Sequence, residues 1–393
     1  MKLPSLSFKI NPVEFFLGLG LGFGYMTSLR FFGTVGIAEL IVLAALIFLF
    51  KNYGRSLFRY EKSLAGFFKA YMMLAVFILL PLMTAITIVF IGLPTKPQYI
   101  ISFMMGITLA FLIVESLREE YIKMSNVVIW FALAYILGNI LTLLFFPSTL
   151  ESDRYTGAAN NPNQLMFYAS SLSLLMVIYI PRLSIFLMPI VIWITLKSAS
   201  DAYLLTLVVT LIIYLLIIIL FSGKYSFGVG LLLSIIAGIF IFYFILSNYY
   251  DQISLIWSAA DQGGSRSSLM LNALEVMFKS PFLGYGTGNF SGMKSAFESW
   301  EAHNTFLDFG MQFGMIFPAI IYFVFFAFLF NRIKNGFYVQ AAFVAAFIVS
   351  GLFHFSGRHF FFWVEFAIFY YYVFYGEKTS TKKEVNFKEE YLQ

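Results

Sequence analysis

The chain has 393 residues, of which 60% are hydrophobic, 20% are aromatic and only 11% are charged, with a mean hydropathy of +0.85. This composition excludes a soluble globular domain, whose surface needs much more charge. Cysteine is absent, which excludes disulfides, thiolate metal sites and a thiol nucleophile. The net charge of +5 lies in short loops and a Lys-rich tail. It forms no basic face, so the sequence does not indicate a nucleic-acid partner.

Apolar stretches long enough to cross about 30 Å of hydrocarbon recur along the chain. They are continuous rather than alternating, which favours membrane helices over a membrane barrel. The sequence therefore predicts an all-α integral membrane protein. The twelve predicted spans lie at 13–29, 34–50, 67–93, 99–116, 126–147, 163–180, 183–197, 202–221, 227–247, 303–330, 337–354 and 359–376.

The spans divide the chain into four parts. Residues 1–247 form a membrane bundle of nine spans, 248–302 a long extracytoplasmic loop, 303–376 three further spans, and 377–393 a charged cytoplasmic tail. The first span follows a short basic lead without a small-residue cleavage site, so we expect it to be uncleaved. With both termini in the cytoplasm, about twice as many Lys and Arg residues fall on the cytoplasmic side as on the other, as the positive-inside rule requires.

The first polar stretch on the outer face lies between the fifth and sixth spans. It contains Arg154, a cation on the side where the positive-inside rule disfavours one. It continues into an Asn-Pro-Asn run in which Asn161 and Asn163 are candidate substrate contacts. The alternative is structural, because Asn-Pro favours a turn and asparagine caps helices.

The second polar stretch belongs to the long loop. Apolar residues from Leu269 to Phe278 recur at helical spacing, which predicts an amphipathic helix that starts near Ser265, ends before Pro281 and lies along the membrane surface. Arg266 falls in the first turn of that helix, where a cation opposes the helix dipole and an anion would be held by free N–H groups. The following segment, GYGTGNF, is either a phosphate-binding loop or a structural turn.

The third stretch surrounds His303 and Asn304, at the start of the tenth predicted span. The carboxylates of Glu301 and Asp308 are close in sequence, and a carboxylate beside an imidazole raises its basicity. An acid inside a span is costly unless it is paired or faces water, so Asp308 is a site candidate. Arg358, before the last predicted span, adds a cation to the same face. The alternative for His303 is an interfacial side chain without a chemical role.

Several arginines on one face, with neither a thiol nor a clear metal cluster, suit a doubly charged phosphate ester, because the guanidinium binds phosphate oxygens in a bidentate manner. The acidic pair Glu151 and Asp153 is a weak metal signal and is more typical of a solvated turn. We therefore expect no metal and no cofactor, with arginines stabilising a leaving diphosphate. A polyprenyl-diphosphate sugar at the membrane interface fits this expectation.

At these residues the chain resembles the superfamily of O-antigen ligases and O-antigen polymerases, which are glycosyltransferases of the bacterial envelope. The resemblance covers about 150–317 and rests on three motifs: Arg154-x-x-Gly157 with Asn161-Pro-Asn163; Ser265-Arg266-Ser-Ser-Leu269 with Ser280-Pro-Phe-Leu-Gly284-x-Gly286-x-Gly288-x-Phe290; and His303-Asn304-x-x-Leu307 with Gly310 and Gly314.

The resemblance implies a GT-C-like helical membrane fold in the bacterial plasma (inner) membrane and an active site that faces the periplasm. It implies an inverting, metal-independent transfer of glycan from undecaprenyl diphosphate. By position, Arg266 would bind the diphosphate, Arg154 would be a further substrate contact, and His303 would activate the acceptor. We expect Glu301 or Asp308 as alternative proton acceptors. The remaining expected substrate contacts are Asn161, Asn163, Asn304 and Arg358.

Several functions stay open. In a polymerase the acceptor is a lipid-linked repeat unit, and in a ligase it is a lipid A-core sugar. Ligases of the superfamily commonly carry an arginine shortly before the eighth span, where this chain has Asp201, so the sequence favours a polymerase. A chain-length regulator protein is a further candidate partner. A transporter or flippase for lipid-linked glycans is the rival class, with Glu39 and Glu365 as the mid-span acids that it would need.

Overall fold

The computed structural model describes residues 10–27, 35–92, 95, 98–145, 155–159, 162–197, 201–221, 265–288, 301–352 and 354–376. About 80% of these residues are helical, and no strand occurs among them. An isolated antiparallel bridge joins Thr95 to Gly288. The predicted all-α class is therefore confirmed for the described part of the chain.

The described helices are, in chain order, α1 (Pro12–Phe23), α2 (Ile37–Leu57), α3 (Leu64–Ile91), α4 (Gln98–Arg118), α5 (Met124–Phe145), α6 (Pro162–Tyr179), α7 (Pro181–Leu196), α8 (Asp201–Phe221), α9 (Ser265–Lys279), α10 (Thr305–Phe313), α11 (Ile316–Lys334), α12 (Tyr338–Gly351) and α13 (Phe360–Phe374). Two π-helical segments interrupt α3, at Ala75–Leu79 and Thr87–Ile91. Such segments widen a helix locally and often occur near functional sites.

Five of these helices are long and apolar enough to cross a membrane: α2, α3, α4, α5 and α11. Shorter apolar helical stretches are α1, Gln164–Tyr179 of α6, α7, Thr210–Phe221 of α8, α12 and α13. Large apolar side chains such as Phe90 and Phe145 are exposed, which suits contact with lipid rather than with water. These helices are compatible with a multi-pass membrane protein, whereas the count of twelve spans stays a prediction.

The first eight predicted spans coincide with α1 to α8, apart from shifted ends. The tight turn predicted between the sixth and seventh spans consists of Ile180 alone, because Pro181 takes the first helical position of α7, where a missing N–H costs nothing. The ninth predicted span, 227–247, lies outside the described residues, as do most of the long loop and the tail 377–393.

The tenth predicted span, 303–330, is corrected to two helices. α10 ends at Phe313 and α11 begins at Ile316. Gly314 between them has a φ of 79°, a left-handed conformation that glycine adopts readily, and its N–H donates to Gly310 O at 3.0 Å. The N–H of the next residue, Met315, donates to Pro281 O at 2.6 Å, so the break is fixed from outside the helix.

One end of the bundle is defined by an ionic network, and we call it the Arg118 end. The guanidinium of Arg118 lies 2.9 Å from Glu61 and 3.1 Å from Glu115, and Glu115 also pairs with buried Lys69 at 3.3 Å. The Tyr375 hydroxyl donates to Glu61, which fixes the end of α13 here. Most of the described Lys and Arg residues lie at this end, which the positive-inside rule would place in the cytoplasm.

The opposite end, the Arg358 end, collects the turns before α10 and α13. Helices α1 to α8 alternate between the two ends: α1, α3, α5 and α7 run towards the Arg358 end, and α2, α4, α6 and α8 run away from it. Near the end of the chain, α12 runs towards the Arg358 end and α13 runs away from it. This arrangement is the one expected of antiparallel neighbours joined by short connections. The candidate site residues therefore lie together at the Arg358 end of the bundle.

An aromatic core holds α10 in place between α4, α11 and α13. The ring of Phe309 lies 5.9 Å from Phe103, 5.3 Å from Phe317 and 5.9 Å from Trp363, measured between ring centroids. Edge and tilted contacts of this kind add to the free energy of apolar burial. Gly357 belongs to the same core, because a Cβ there would lie 2.1 Å from the Phe309 ring.

Candidate functional site

The turn that precedes α10 carries His303 in a conformation that a side-chain residue rarely adopts. Its φ is 54°, in the left-handed region. Asp308 holds the residues on either side: one carboxylate oxygen accepts from Ala302 N–H at 3.0 Å and the other from Asn304 N–H at 3.1 Å. The buried Asp308 side chain thus fixes the strained turn from the first part of α10.

Asn304 is the N-cap of α10. Its side-chain oxygen accepts from Leu307 N–H at 3.1 Å, as the pattern of an asparagine before an apolar helix indicates. Its amide nitrogen donates to Leu352 O at 3.0 Å, at the end of α12. Asn304 was predicted as a substrate contact, and the structure gives both of its side-chain atoms partners within the chain.

The loop between α12 and α13 is fastened to the start of α10. The hydroxyl of Thr305 donates to His354 O at 2.6 Å and accepts from Ser356 N–H at 3.1 Å. These bonds satisfy backbone groups in a buried loop, where an unpaired group would be costly. The loop carries Arg358 two residues later, so its position relative to the His303 turn is set by direct contacts.

Arg358 forms an ion pair with Glu301, two residues before His303. Its Nη1 lies 2.5 Å from Glu301 Oε1, and the hydroxyl of Tyr99, in the first turn of α4, lies 3.2 Å from the same carboxylate oxygen and 3.5 Å from Arg358 Nη1. The Glu301 side chain is 8% exposed and that of Arg358 is 34% exposed. The carboxylate is therefore buried behind the guanidinium, which reaches the surface of the Arg358 end.

Charge interactions support this arrangement. Burial disfavours the charge of Arg358, but the carboxylate of Glu301 and the oxygen of Tyr99 outweigh it, so the pKa of Arg358 is raised. The arginine stays cationic. Its described hydrogen bonds all use Nη1, and a guanidinium carries five donors in a planar fork. A guanidinium fixed at one nitrogen and partly exposed is suited to bind an anion such as a phosphate.

The carboxyl group of Asp308 has a perturbed pKa. α10 is too short to cross a membrane and is not one of the helices that could span it. Burial, followed by the negative charge of Glu301, raises the pKa of Asp308 to about 8, although the two backbone N–H groups oppose that shift. The carboxyl can thus exchange a proton in a range that suits acid–base chemistry, but both of its oxygens have backbone partners.

The other two histidines lie on the opposite side of the loop, against the start of α6. The ring of His354 is 4.5 Å from Phe167, and the ring of His359 is 5.5 Å from Phe361 and 5.8 Å from Tyr168. Both histidines are buried. They pack α6 against the loop, which is a structural role.

The glycine-rich segment 284–288 behaves as a structural turn. Tyr285 N–H donates to Met311 O at 2.7 Å and Gly286 N–H to Gln312 O at 3.0 Å, at the end of α10. Thr287 N–H donates to Thr84 Oγ1 on α3 at 2.8 Å. These three N–H groups are therefore occupied within the chain, so the phosphate-binding alternative loses the donors that it needs.

Gly286 permits close approach of this segment to α3. Its φ is 81°, and a Cβ at that position would lie 2.3 Å from Thr84 N. The hydroxyl of Thr87, in the second π-helical segment, donates to Tyr285 O at 2.5 Å. The π-helical part of α3 thus packs directly on the glycine-rich segment, which in turn is bonded to the end of α10.

The helix predicted between Ser265 and Pro281 is present as α9. Its inner face packs on α10 in a small apolar cluster that contains Ala273, Val276 and Met277 of α9 with Ala302 and Leu307. Leu271 and Phe278, which the sequence assigned to the same apolar stripe, are exposed instead. Because Ala302 adjoins His303, the cluster connects the helix that carries Arg266 directly to the His303 turn.

The predicted site residues therefore fall into three groups. Glu301, His303, Asn304, Asp308 and Arg358 are together at the Arg358 end, while the backbones of Asn163 and Arg266 lie in the first turns of α6 and α9. The predictions for Arg154 and Asn161 lie outside the described residues.

Two residues at this end were not predicted from the sequence. Tyr99 completes the Arg358 contact, and Tyr155 anchors the segment beside Arg154 through a hydrogen bond of 3.0 Å to Asn139 Oδ1. A tyrosine at the start of a span is common at membrane interfaces, so its position alone gave no signal. Within the part of the chain that the structure describes, no group of three His, Cys, Asp or Glu side chains could hold a metal ion.

A search of protein-family models gives no match, and a search of curated proteins gives no match either.

Proposed function

We propose that the chain is a glycosyltransferase that uses a polyprenyl-diphosphate-linked glycan as donor at the Arg358 end of the bundle. The observation that carries the proposal is the partly exposed Arg358, held by buried Glu301 beside the His303 turn. A fixed guanidinium at a membrane-facing end suits a diphosphate, because the lipid of the donor stays between helices while its charged group meets the arginine. The sequence resemblance gives the reaction class, and the geometry supports the anion site.

The proposed reaction is a single displacement. The acceptor hydroxyl attacks the anomeric carbon, its proton passes to His303, and the anomeric C–O bond breaks with its electron pair leaving on the diphosphate. Arg358, with Arg266 and Arg154, stabilises the charge that develops on the leaving group. Inversion at the anomeric carbon follows from attack on the opposite face.

The choice of His303 as proton acceptor is supported by the partners of the two nearby acids. Glu301 is paired with Arg358, and both oxygens of Asp308 accept backbone N–H groups. Proton transfer to either acid would weaken the contacts that hold the turn. An imidazole changes protonation near neutral pH, which suits it to accept and release this proton.

Among the transferases, we favour a polymerase that extends a lipid-linked repeat unit, with a ligase acting on lipid A-core as the second candidate. Asp201 stands where ligases of the superfamily commonly carry an arginine. The proposed location is the bacterial inner membrane, with both termini in the cytoplasm and the Arg358 end in the periplasm. A chain-length regulator is a proposed partner.

The transporter alternative is less well supported. Glu39, one of its two candidate mid-span acids, lies in the first turn of α2, where its carboxylate accepts from Gly36 N–H at 2.9 Å. That contact is a capping bond at a helix end rather than a substrate site near the membrane centre.

Purified protein in detergent, supplied with a synthetic undecaprenyl-diphosphate repeat unit in the presence of EDTA, tests the proposal. We expect a ladder of products that His303→Ala, Arg266→Ala and Arg358→Ala abolish. Arg118→Ala, which removes an ion-paired cation at the other end, is the matched control and should retain the ladder. Transfer only after addition of a lipid A-core acceptor would indicate the ligase, and no transfer with either acceptor would contradict the proposal.

A further inference from the structure

Glu365 is a carboxyl group inside the bundle that the proposed reaction does not use. It lies on α13, and its exposed fraction is 0%. One turn to either side, the rings of Phe362 and Phe369 pack on Phe325 of α11 at centroid distances of 5.6 and 5.4 Å. Neither carboxyl oxygen has a hydrogen-bond partner among the described residues. Water is therefore excluded from the group, and its surroundings are largely aromatic.

Among the described residues, no cation lies beside Glu365 to compensate a negative charge there. The helices packed on α13 are α4, α11 and α6, and α6 contains no charged residue. The charges of the other two helices are at the Arg118 end, where Glu115 pairs with Arg118 and Arg332 is enclosed by aromatic rings. Lys334 is exposed at the end of α11.

The titratable groups at the other end of α13 are also engaged elsewhere. Arg358 pairs with Glu301, and His354 and His359 pack on aromatic rings of α6 and α13. The polar group that faces Glu365 is the hydroxyl of Ser171 on α6. A buried carboxylate without a counter-charge is strongly disfavoured, whereas a neutral carboxylic acid is not.

Ser171, like Glu365, is a buried polar residue whose side chain lacks a hydrogen-bond partner among the described residues. One turn towards the Arg358 end, the rings of Tyr168 and Phe361 are in contact at 4.9 Å, which brings this face of α6 onto the Glu365 face of α13. An O–H on the Glu365 carboxyl would give the Ser171 oxygen a donor, and the serine hydroxyl could in turn donate to the carbonyl.

We propose that Glu365 is a proton-binding site within the membrane bundle, occupied at neutral pH, in which the neutral carboxylic acid hydrogen-bonds to Ser171 and joins α13 to α6. A proton is favoured over a metal cation because one carboxyl and one hydroxyl supply too few oxygens for a metal coordination shell. Loss of the proton leaves an uncompensated charge between the two helices and weakens their contact. The site is independent of the transferase reaction proposed above.

Infrared spectroscopy of the full chain in lipid vesicles at neutral pH tests this proposal. The spectrum of the wild type minus that of Glu365→Gln should contain a C=O stretching band of a protonated carboxyl, which shifts down in D2O. A difference band in the carboxylate region at neutral pH would overturn the proposal. The amide of glutamine has the shape of the neutral acid, so the substitution should preserve folding.

A second variant keeps Glu365 and tests its hydrogen bond. Ser171→Ala should shift the protonated carboxyl band to higher frequency, because the carboxyl loses its partner. Ser173→Ala is the matched control. Ser173 on α6 is also buried, and its hydroxyl has no hydrogen-bond partner among the described residues, but it lies two residues away and thus on another face of the helix. An effect of Ser171→Ala in the carboxylate region, or equal effects of both serine variants, would contradict the proposal.

Discussion

The guanidinium of Arg358 binds the carboxylate of Glu301 at 2.5 Å, and this contact joins the turn before α13 to the turn before α10. The two residues are separated by three helices in the chain, α10, α11 and α12, but share one end of the bundle. Their pairing leaves the guanidinium partly exposed beside His303, while the carboxylate is buried. The contact therefore has a structural role and a chemical role, which substitutions can separate.

Arg358→Gln is expected to lower the transfer rate by about 100-fold or more, because it removes a charge that stabilises the leaving diphosphate. It should also destabilise the protein by roughly 2 kcal/mol, less than a fully buried pair would cost, since Arg358 is partly exposed. Turnover and thermal unfolding measure the two effects.

The double variant Arg358→Gln with Glu301→Gln should recover most of the stability but none of the activity. Arg118→Gln is the matched control, because Arg118 is 33% exposed and pairs with a carboxylate that is 9% exposed. It should lose stability and keep full transfer. Retained activity in Arg358→Gln would remove Arg358 from the site.

Asp308→Asn is expected to loosen the His303 turn. The amide oxygen can accept only one of the two N–H groups that Asp308 binds, and its NH2 opposes the other, at a cost of about 1–3 kcal/mol. We expect a lower melting temperature together with a reduced kcat. If Asp308 instead accepts the proton in catalysis, the variant would lose turnover at an unchanged melting temperature.

The same carboxyl predicts a pH dependence of stability. Its pKa is raised to about 8 by burial and by Glu301, whereas an aspartate in an unfolded chain titrates near about 4. Between roughly pH 4 and pH 8, folding is therefore coupled to the binding of a proton by Asp308. The stability gained from this proton is fully present below the pKa of the unfolded chain and is lost as the pH rises through the pKa of the folded protein. The melting temperature of the wild type should fall relative to Asp308→Asn across this window, and a constant difference would contradict the prediction.

Gly314→Ala should destabilise the protein more than Gly336→Ala. Both glycines are left-handed, with φ of 79° and 78°, so both alanines carry the strain of about 1–2 kcal/mol that this conformation imposes. A Cβ at Gly314 would also lie 2.3 Å from Phe282 O, whereas a Cβ at Gly336 meets nothing within 4 Å. Melting temperatures of the two variants compare the effects, and equal losses would show that the contact with Phe282 relaxes freely.

Tyr155→Phe tests whether the hydrogen bond from Tyr155 to Asn139 positions the segment beside Arg154. The variant removes the hydrogen bond to Asn139 and should cost about 1 kcal/mol of stability. We expect a higher KM for the lipid-linked donor with a smaller change in kcat, because Arg154 adjoins the anchor. Tyr338→Phe, which removes a hydrogen bond to Phe221 O at the Arg118 end, should leave KM unchanged. Equal KM values in both variants would show that the hydrogen bond between Tyr155 and Asn139 does not contribute to donor binding.

Local patterns in the sequence were sufficient to predict most of the helices. Hydropathy located α1 to α8, and the stripe after Ser265 located α9, because burial in lipid or against a neighbour repeats with the helical period. The gap between the sixth and seventh predicted spans also separates α6 from α7, where Pro181 occupies the first helical position, which accepts proline. Asn304 could likewise be read as a helix cap, but its second bond to Leu352 could not.

Only the tertiary structure decided how these elements form a site. The break at Gly314 depends on a hydrogen bond from Met315 to Pro281, in a different part of the chain, and hydropathy continues through it without change. The pairing of Glu301, Arg358 and Tyr99 joins residues that are far apart in the sequence. The burial of Glu365 opposite Ser171 likewise depends on how α13 packs on α6. Sequence determines helices because their hydrogen bonds are local, whereas the charge environment of a residue depends on which distant side chains surround it.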